Sequence, residues 1–246
     1  IEEIKSDCFQ IINIIQEKEN GKKFAATTSF VNDDIHIKHY ILREINILVH
    51  IQHSTIIRFQ GFSNQDNNVI IITNYVDNKP LSNFLEKDMQ SLLPSDFNNT
   101  KKQIILVGIA YGMMILHQHN VIHGDLKPEN ILLENDYKPV LANFSFSKIF
   151  NPYFSMSPST AFYMAPEIAI SNNYSTKSDV FSFGILMYEI VTGSRAYESR
   201  FGNPNYFQCQ FQKEVIEGLR PDFNLPTKES LKKLIQKCWS NNPDER

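Results

Sequence analysis

Glycine is scarce and unevenly spread: nine in 246 residues, against a usual ~7%, and none in the first twenty. A chain start without glycine has few places where backbone amides can crowd round an anion. Cysteine is scarcer still. Three cysteines, Cys8, Cys209 and Cys238, are odd in number and widely spaced. That excludes a disulfide framework and a zinc-ligand spacing, and points to a reducing, cytoplasmic setting. Long hydrophobic runs are missing too. The longest mostly apolar stretch, 104–116, is too short to span a bilayer as a helix. Charge of one sign does not dominate. With 24 Lys and Arg against 27 Asp and Glu the net charge is −3, which argues against a dedicated nucleic-acid binder with a basic face.

What remains is ordinary globular composition, 42% apolar and 21% charged. The length suits one large domain or two lobes sharing a core. The first residue is Ile1 rather than Met, so the chain reads as a fragment, and a signal, an anchor or a partner domain would lie outside it.

The pattern changes along the chain. Ile11, Ile12, Ile14 and Ile15 form an apolar strand, and Asn20-Gly21 is a turn signal. A β-hairpin is therefore expected over 11–30, with its second strand from Lys23 to Phe30. Ile37, Ile41, Ile45 and Leu48 then recur at helical spacing over 34–51, with Glu44 beside the stripe. Two short strands are expected near 56–62 and 69–73. From Leu81 onward the pattern is mainly helical, with helices over 101–118, 177–192 and 228–239. The second stops at Gly193, a common stop residue. Between them, 123–167 is rich in loops and carries a short strand at Ile131–Leu133. The boundary between a sheet-rich and a helical part falls at 74–80.

The strongest local signal is His123-Gly124-Asp125-Leu126-Lys127-Pro128-Glu129-Asn130. An Asp, a Lys two residues on and an Asn three beyond that suit one small space. Phosphoryl transfer uses such a group: a proton acceptor, a cation near the phosphate and an oxygen ligand for Mg²⁺. A polar loop whose Asp and Asn cap a turn is the plainer alternative, but it does not account for all eight residues after a long helix and before a short strand.

That octapeptide resembles the protein kinase catalytic loop, with Gly124 in place of Arg. Eighteen residues beyond Asp125, Asn143-Phe144-Ser145 stands where the family has Asp-Phe-Gly. Tyr163-Met164-Ala165-Pro166-Glu167 resembles the end of the activation segment. Ser178-Asp179-Val180 with Gly184 is similar to the buried central helix of the large lobe. Leu42-Arg43-Glu44-Ile45, His53 and Ile72-Thr73-Asn74-Tyr75-Val76 are similar to the small-lobe helix and the hinge. Arg220-Pro221 and Cys238-Trp239 look most like the tyrosine-kinase-like group. The resemblance covers nearly all of 4–246, in family order.

It implies an α+β, two-lobed kinase fold: a small lobe of antiparallel sheet and one helix over about 1–74, a hinge at 74–80, and a larger helical lobe from 81, truncated after Arg246. It implies Asp125, Lys127 and Asn130 as catalytic positions. Ile12, Ala25, Thr73, Asn74, Val76 and Leu132 fall on the adenine site, with Thr73 as gatekeeper. Asn130 and Asn143 are the degenerate metal positions. Leu48, Phe59, His123 and Phe144 fall on the regulatory stack, above Asp179. Glu167 and Arg246 match a buried ion pair, and Thr160 a substrate-positioning Thr.

The departures concern phosphate and metal. Lys5, Asp7 and Gln10 stand on the three glycines of the phosphate loop, where side chains obstruct backbone approach and Asp7 repels. Thr27 stands on the strand Lys and offers Glu44 no charge. Glu44 is then a solvated helix-face residue, or it meets an amine from Lys5, Lys22 or Lys23. Asn143 replaces the metal carboxylate, and Ser145 the glycine after it. Gly124 has no guanidinium to gather a phosphate on Ser155, Ser157, Ser159 or Thr160, so modification there is expected to change little. The implied cleft takes ATP weakly and holds Mg²⁺ poorly. Two readings stay open: a catalytically impaired pseudokinase acting as a signalling module, and an unconventional Ser/Thr kinase. Either meets a protein partner or substrate, with no nucleic acid and no membrane segment in this chain.

Overall fold

The computed structural model describes residues 2–6, 10–30, 35–65, 68–77, 80–90, 92, 97–144, 158–198, 208–224 and 226–246. Five strands open the chain: β1 (Glu2–Ser6), β2 (Gln10–Gln16), β3 (Lys23–Phe30), β4 (Phe59–Gln65) and β5 (Asn68–Asn74), with α1 (Ile35–His50) between β3 and β4. They pair antiparallel in the order β1-β2-β3-β5-β4. The β2–β3 turn forms as expected. Asn20 Oδ1 accepts from Lys22 N at 2.8 Å, and the register runs from Gln16–Lys23 to Gln10–Ser29.

The strand expected at 56–62 starts and ends three residues later. Tertiary contact overrides local pattern here. Ile57 N donates to the Leu141 carbonyl and Leu141 N to the Thr55 carbonyl, at 2.9 and 2.8 Å. Ile56 and Ile57, both buried, therefore tie the sheet portion to the helical portion instead of extending β4.

The helical portion contains α2 (Leu81–Met89), α3 (Asn99–Gln118), α4 (Pro158–Ala161), α5 (Pro166–Ser171), α6 (Thr176–Thr192), α7 (Gln208–Ile216) and α8 (Glu229–Cys238). The short hairpin β6 (Ile131–Leu133)–β7 (Pro139–Leu141) lies between α3 and α4. Caps set two starts a little ahead of the apolar pattern. Asn98 Oδ1 accepts from Thr100 N and Lys101 N, and Ser175 forms a capping box with Ser178. The last helix is one residue shorter at each end than expected.

α6 is the central post. Most of it is buried, including Phe181, Ile185 and Ile190. Gly184 allows α8 to approach: a Cβ there would lie 2.9 Å from Cys238 Cβ. One apolar cluster runs from Leu48 and Ile71 through Ile105 to Leu141 and Phe144, and so joins sheet and helices. A second packs Tyr163, Phe181 and Trp239 below it.

Candidate active site

Residues 123–130 lie between the C-terminus of α3 and β6, with no helix or strand of their own before a one-turn 3₁₀ helix at Pro128–Asn130. Their backbone is held by a carboxylate. His123 N and Gly124 N donate to Asp179 Oδ2 and Oδ1 at 2.8 and 2.9 Å, and His117 Nε2 donates to Oδ2 at 2.9 Å. Gly124 has φ 78, in the left-handed region where a side chain is strained. The glycine that replaces the family's Arg thus relieves backbone strain while it removes a guanidinium.

Asp125, Lys127 and Asn130, expected together, are together and buried. Asn130 Nδ2 donates to the Asp125 carbonyl and to Asp125 Oδ2, both at 2.7 Å. Lys127 Nζ lies 3.2 Å from Asp125 Oδ2 and donates to Thr160 Oγ1 at 2.7 Å. Thr160 Oγ1 donates to Asp125 Oδ1 at 3.1 Å. Both carboxylate oxygens are therefore engaged. Thr160 Oγ1 thus stands between the Lys127 amine and the Asp125 carboxylate. Ser155 and Ser157, and the side chain of Ser159, lie outside the described residues.

Asn143 joins the same network. It has φ 64, a conformation Asn tolerates. Its Nδ2 donates to Asn130 Oδ1 at 3.1 Å. That oxygen is the one Asn130 would offer a cation. The donor set here is two carboxamides bonded to each other, one of them standing where a carboxylate would bring charge. Neither carboxamide brings charge, whereas Mg²⁺ sites draw on carboxylate and phosphate oxygens. Among the described residues no group of three or more His, Cys, Asp or Glu could hold a metal.

Glu44 corrects an expectation. It is buried, and its Oε1 accepts from Phe144 N at 3.3 Å. On α1 it lies one turn from Ile41 and Leu48, which face the core, so the helix carries its carboxylate inward. Lys22 and Lys23 are exposed at the start of β3. Their amines lie over the Phe24 and Tyr75 rings, 5.0 and 5.8 Å from the centroids. Thr27, opposite Ile12 and Ile71, is four and five residues further along, roughly 13–16 Å of strand. Asp7 and the Lys5 side chain lie outside the described residues.

Ile12, Ala25, Thr73, Asn74, Val76 and Leu132 are all half-buried. Ala25 pairs with Thr73 across β3–β5, and Leu132 bridges Pro80 just beyond Val76. Asn74 N donates to the Arg58 carbonyl at 2.9 Å. The stacked residues also meet. Leu48 and Phe144 share one cluster, Phe59 packs against it, and the His123 and Phe144 rings lie 5.3 Å apart. Burial lowers the His123 pKa, against the raising effect of Asp179 and Asp125.

Sequence reasoning missed two groups. His117 ends a helix with no motif around it. Glu189, on α6, accepts from Tyr163 Oη at 2.7 Å and Ala196 N at 2.9 Å, and burial pushes its carboxyl up to about 7.

A small antiparallel sheet with one helix, tied to a helical part that carries an Asp-Lys-Asn loop, is a two-lobed kinase fold. Residues 8–246 match the protein kinase domain family, and the chain belongs to the protein kinase family. It is similar to serine/threonine kinases. Over 183 residues it is 34% identical to the G-type lectin S-receptor-like serine/threonine-protein kinase SD1-1 of Arabidopsis thaliana, covering 71% of this chain and 22% of that protein. Over 205 residues it is 31% identical to the RGS domain-containing serine/threonine-protein kinase A of Dictyostelium discoideum, covering 83% and 17%. Over 214 residues it is 30% identical to the cysteine-rich receptor-like protein kinase 44 of Arabidopsis thaliana, covering 80% and 55%. The chain thus spans from under a fifth to about half the length of these relatives. No helix among the described residues is long and apolar enough to cross a membrane.

Proposed function

We propose that this kinase domain is a pseudokinase of the tyrosine-kinase-like group. Asp125, Lys127 and Asn130 hold the catalytic loop in shape, and the domain acts as a signalling module that engages a protein partner. The carrying observation is the Asn143 Nδ2–Asn130 Oδ1 bond. A transferred phosphate needs its charge neutralised. Here Asn143 brings a donor where a metal ligand is needed, Thr27 brings no cation, and Lys127 is already bonded to Asp125 and Thr160. Adenine contacts from Ile12, Ala25, Val76 and Leu132 support weak nucleotide binding without a metal.

The test is transfer of labelled γ-phosphate by purified protein with Mg²⁺ or Mn²⁺, with Asp125→Asn as control. No transfer above the control is expected. The second reading, an unconventional Ser/Thr kinase, is favoured by the survival of Asp125 as a proton acceptor, with Asn130 bonded to its carboxylate. Transfer that disappears in Asp125→Asn would establish it and overturn the first.

A further inference from the structure

Gln212 is buried on α7, outside every motif the sequence offers, and its Nε2 donates to the Ala161 carbonyl at 2.6 Å. Ala161 ends α4, a helix of four residues that also carries Thr160. A single turn cannot satisfy its own last carbonyls. Tyr163 N reaches the Thr160 carbonyl at 3.2 Å and Met164 N the Ala161 carbonyl at 3.4 Å, both beyond the usual length of such a bond. The amide from α7 is therefore the short contact on this buried turn. The same helix grips the next residue, with the Phe211 ring 4.6 Å from that of Phe162.

A side chain kept only to fill space would be apolar here. Gln212 Oε1 is buried and has no hydrogen-bond partner among the described residues, a cost that Met or Leu would avoid. The donor is what the position uses. Turned over, the amide would set its oxygen against the Ala161 carbonyl oxygen, so its orientation is fixed. Residues 160–162 are thus held from two sides. α7 holds Ala161 and Phe162, and the catalytic loop holds Thr160, whose hydroxyl stands between Lys127 Nζ and Asp125 Oδ1.

We propose that Gln212 is a positioning residue: from α7 it fixes the end of α4, and through it the Thr160 hydroxyl against Lys127 and Asp125. α7 and the catalytic loop are thereby coupled, and a displacement of α7 is passed to Thr160. This holds whether or not the domain transfers phosphate.

The experiment is a double-mutant cycle on the full chain, read from urea denaturation. Gln212→Met keeps the length of the side chain and loses the donor. Thr160→Ala alone should lower the folding equilibrium constant on the order of tenfold, the scale of one bond to a charged group. In the Gln212→Met background the same change should cost under about threefold, because the hydroxyl is no longer held in place. Asn20→Ala, at the β2–β3 turn, is the control, and its effect should be the same in both backgrounds. An equal loss from Thr160→Ala in both backgrounds would overturn the proposal, as would a change in the Asn20 control as large as that at Thr160. Should Gln212→Met fail to fold, Thr160→Ala decides by itself, because coupling is reciprocal. In that variant the Gln212 side-chain amide protons should exchange several-fold faster by NMR, and unchanged exchange refutes the role.

Discussion

The side-chain amide of Asn143 donates to the side-chain oxygen of Asn130 across 3.1 Å. In a metal-dependent site both groups would turn oxygen toward a common cation. Here one has become the other's donor, and the loop closes on itself. Asn130 then passes the constraint on through its bonds to Asp125. The polar centre of the cleft is thereby satisfied from within the chain, which is the cheapest state for a buried polar network.

The Glu167–Arg246 pair should be a main structural tie. The guanidinium meets the carboxylate bidentately at 2.6 and 2.9 Å, with the Arg246 side chain wholly buried and its Cζ 5.0 Å from the Phe181 ring centroid. Removing one partner strands a buried charge. Arg246→Ala should lower unfolding free energy by about 3–5 kcal/mol, read from urea denaturation. A loss under about 1 kcal/mol, the scale of a solvated pair, would show that the site is wet.

Stability should depend on pH through Glu189. Its carboxyl is raised from 4.5 to about 7 by burial, although the Tyr163 hydroxyl and Ala196 amide favour the ionised form. Between those values the folded state holds a proton that the unfolded chain has released. Stability from this group is full below about 4.5 and declines as pH rises to about 7, by on the order of 3 kcal/mol. Glu189→Gln should flatten that part of the pH profile of denaturation. An unchanged slope in the variant would assign the dependence elsewhere.

Much of this site could be read before any coordinate. The eight residues 123–130 name their own neighbourhood because they lie within one turn of chain, and Asp125, Lys127 and Asn130 do converge. The hairpin followed from Asn20-Gly21, a local signal with a local cause. Failures came where a distant partner decides. Ile56 alternates like a strand residue, yet the segment's amides bond around Leu141. Glu44 borders its helix's apolar stripe, and periodicity cannot say that the Phe144 amide waits on that side. His117 and Glu189 bond across 62 and 26 residues, and no spacing rule reaches so far.

Thr160 should tolerate a hydroxyl and little else. It lies between Lys127 Nζ and Asp125 Oδ1. Thr160→Ser keeps both bonds and should be near neutral. Thr160→Ala leaves a buried Lys–Asp pair short of a partner, at about 1–2 kcal/mol. Thr160→Glu sets a carboxylate against Asp125 and should cost more than Ala in thermal melts. A glutamate variant as stable as wild type would mean that the segment moves aside without penalty.

Nucleotide binding separates the surviving parts of the cleft from the lost ones. On the proposed reading, Ile12, Ala25 and Leu132 offer apolar contact for a base, worth about 25 cal/mol per Å² before ordering costs. Phosphate and cation find Thr27, Asn143 and an Asn130 oxygen already bonded. Adenosine, ADP and ATP should therefore shift the melting temperature by similar small amounts, and Mg²⁺ should add little to ATP. Asn143→Asp reverses one element. It removes the donor, frees Asn130 Oδ1 and supplies a carboxylate beside it. In that variant ATP with Mg²⁺ should stabilise more than ATP alone, in proportion to RT ln(1 + [L]/Kd). Differential scanning fluorimetry of both proteins with each ligand, with and without Mg²⁺, makes the comparison. Strong Mg²⁺-dependent stabilisation of the wild type by ATP would show that Asn143 opens to admit the ion. That result would undo the pseudokinase reading, because the bond that carries it would have proved no barrier.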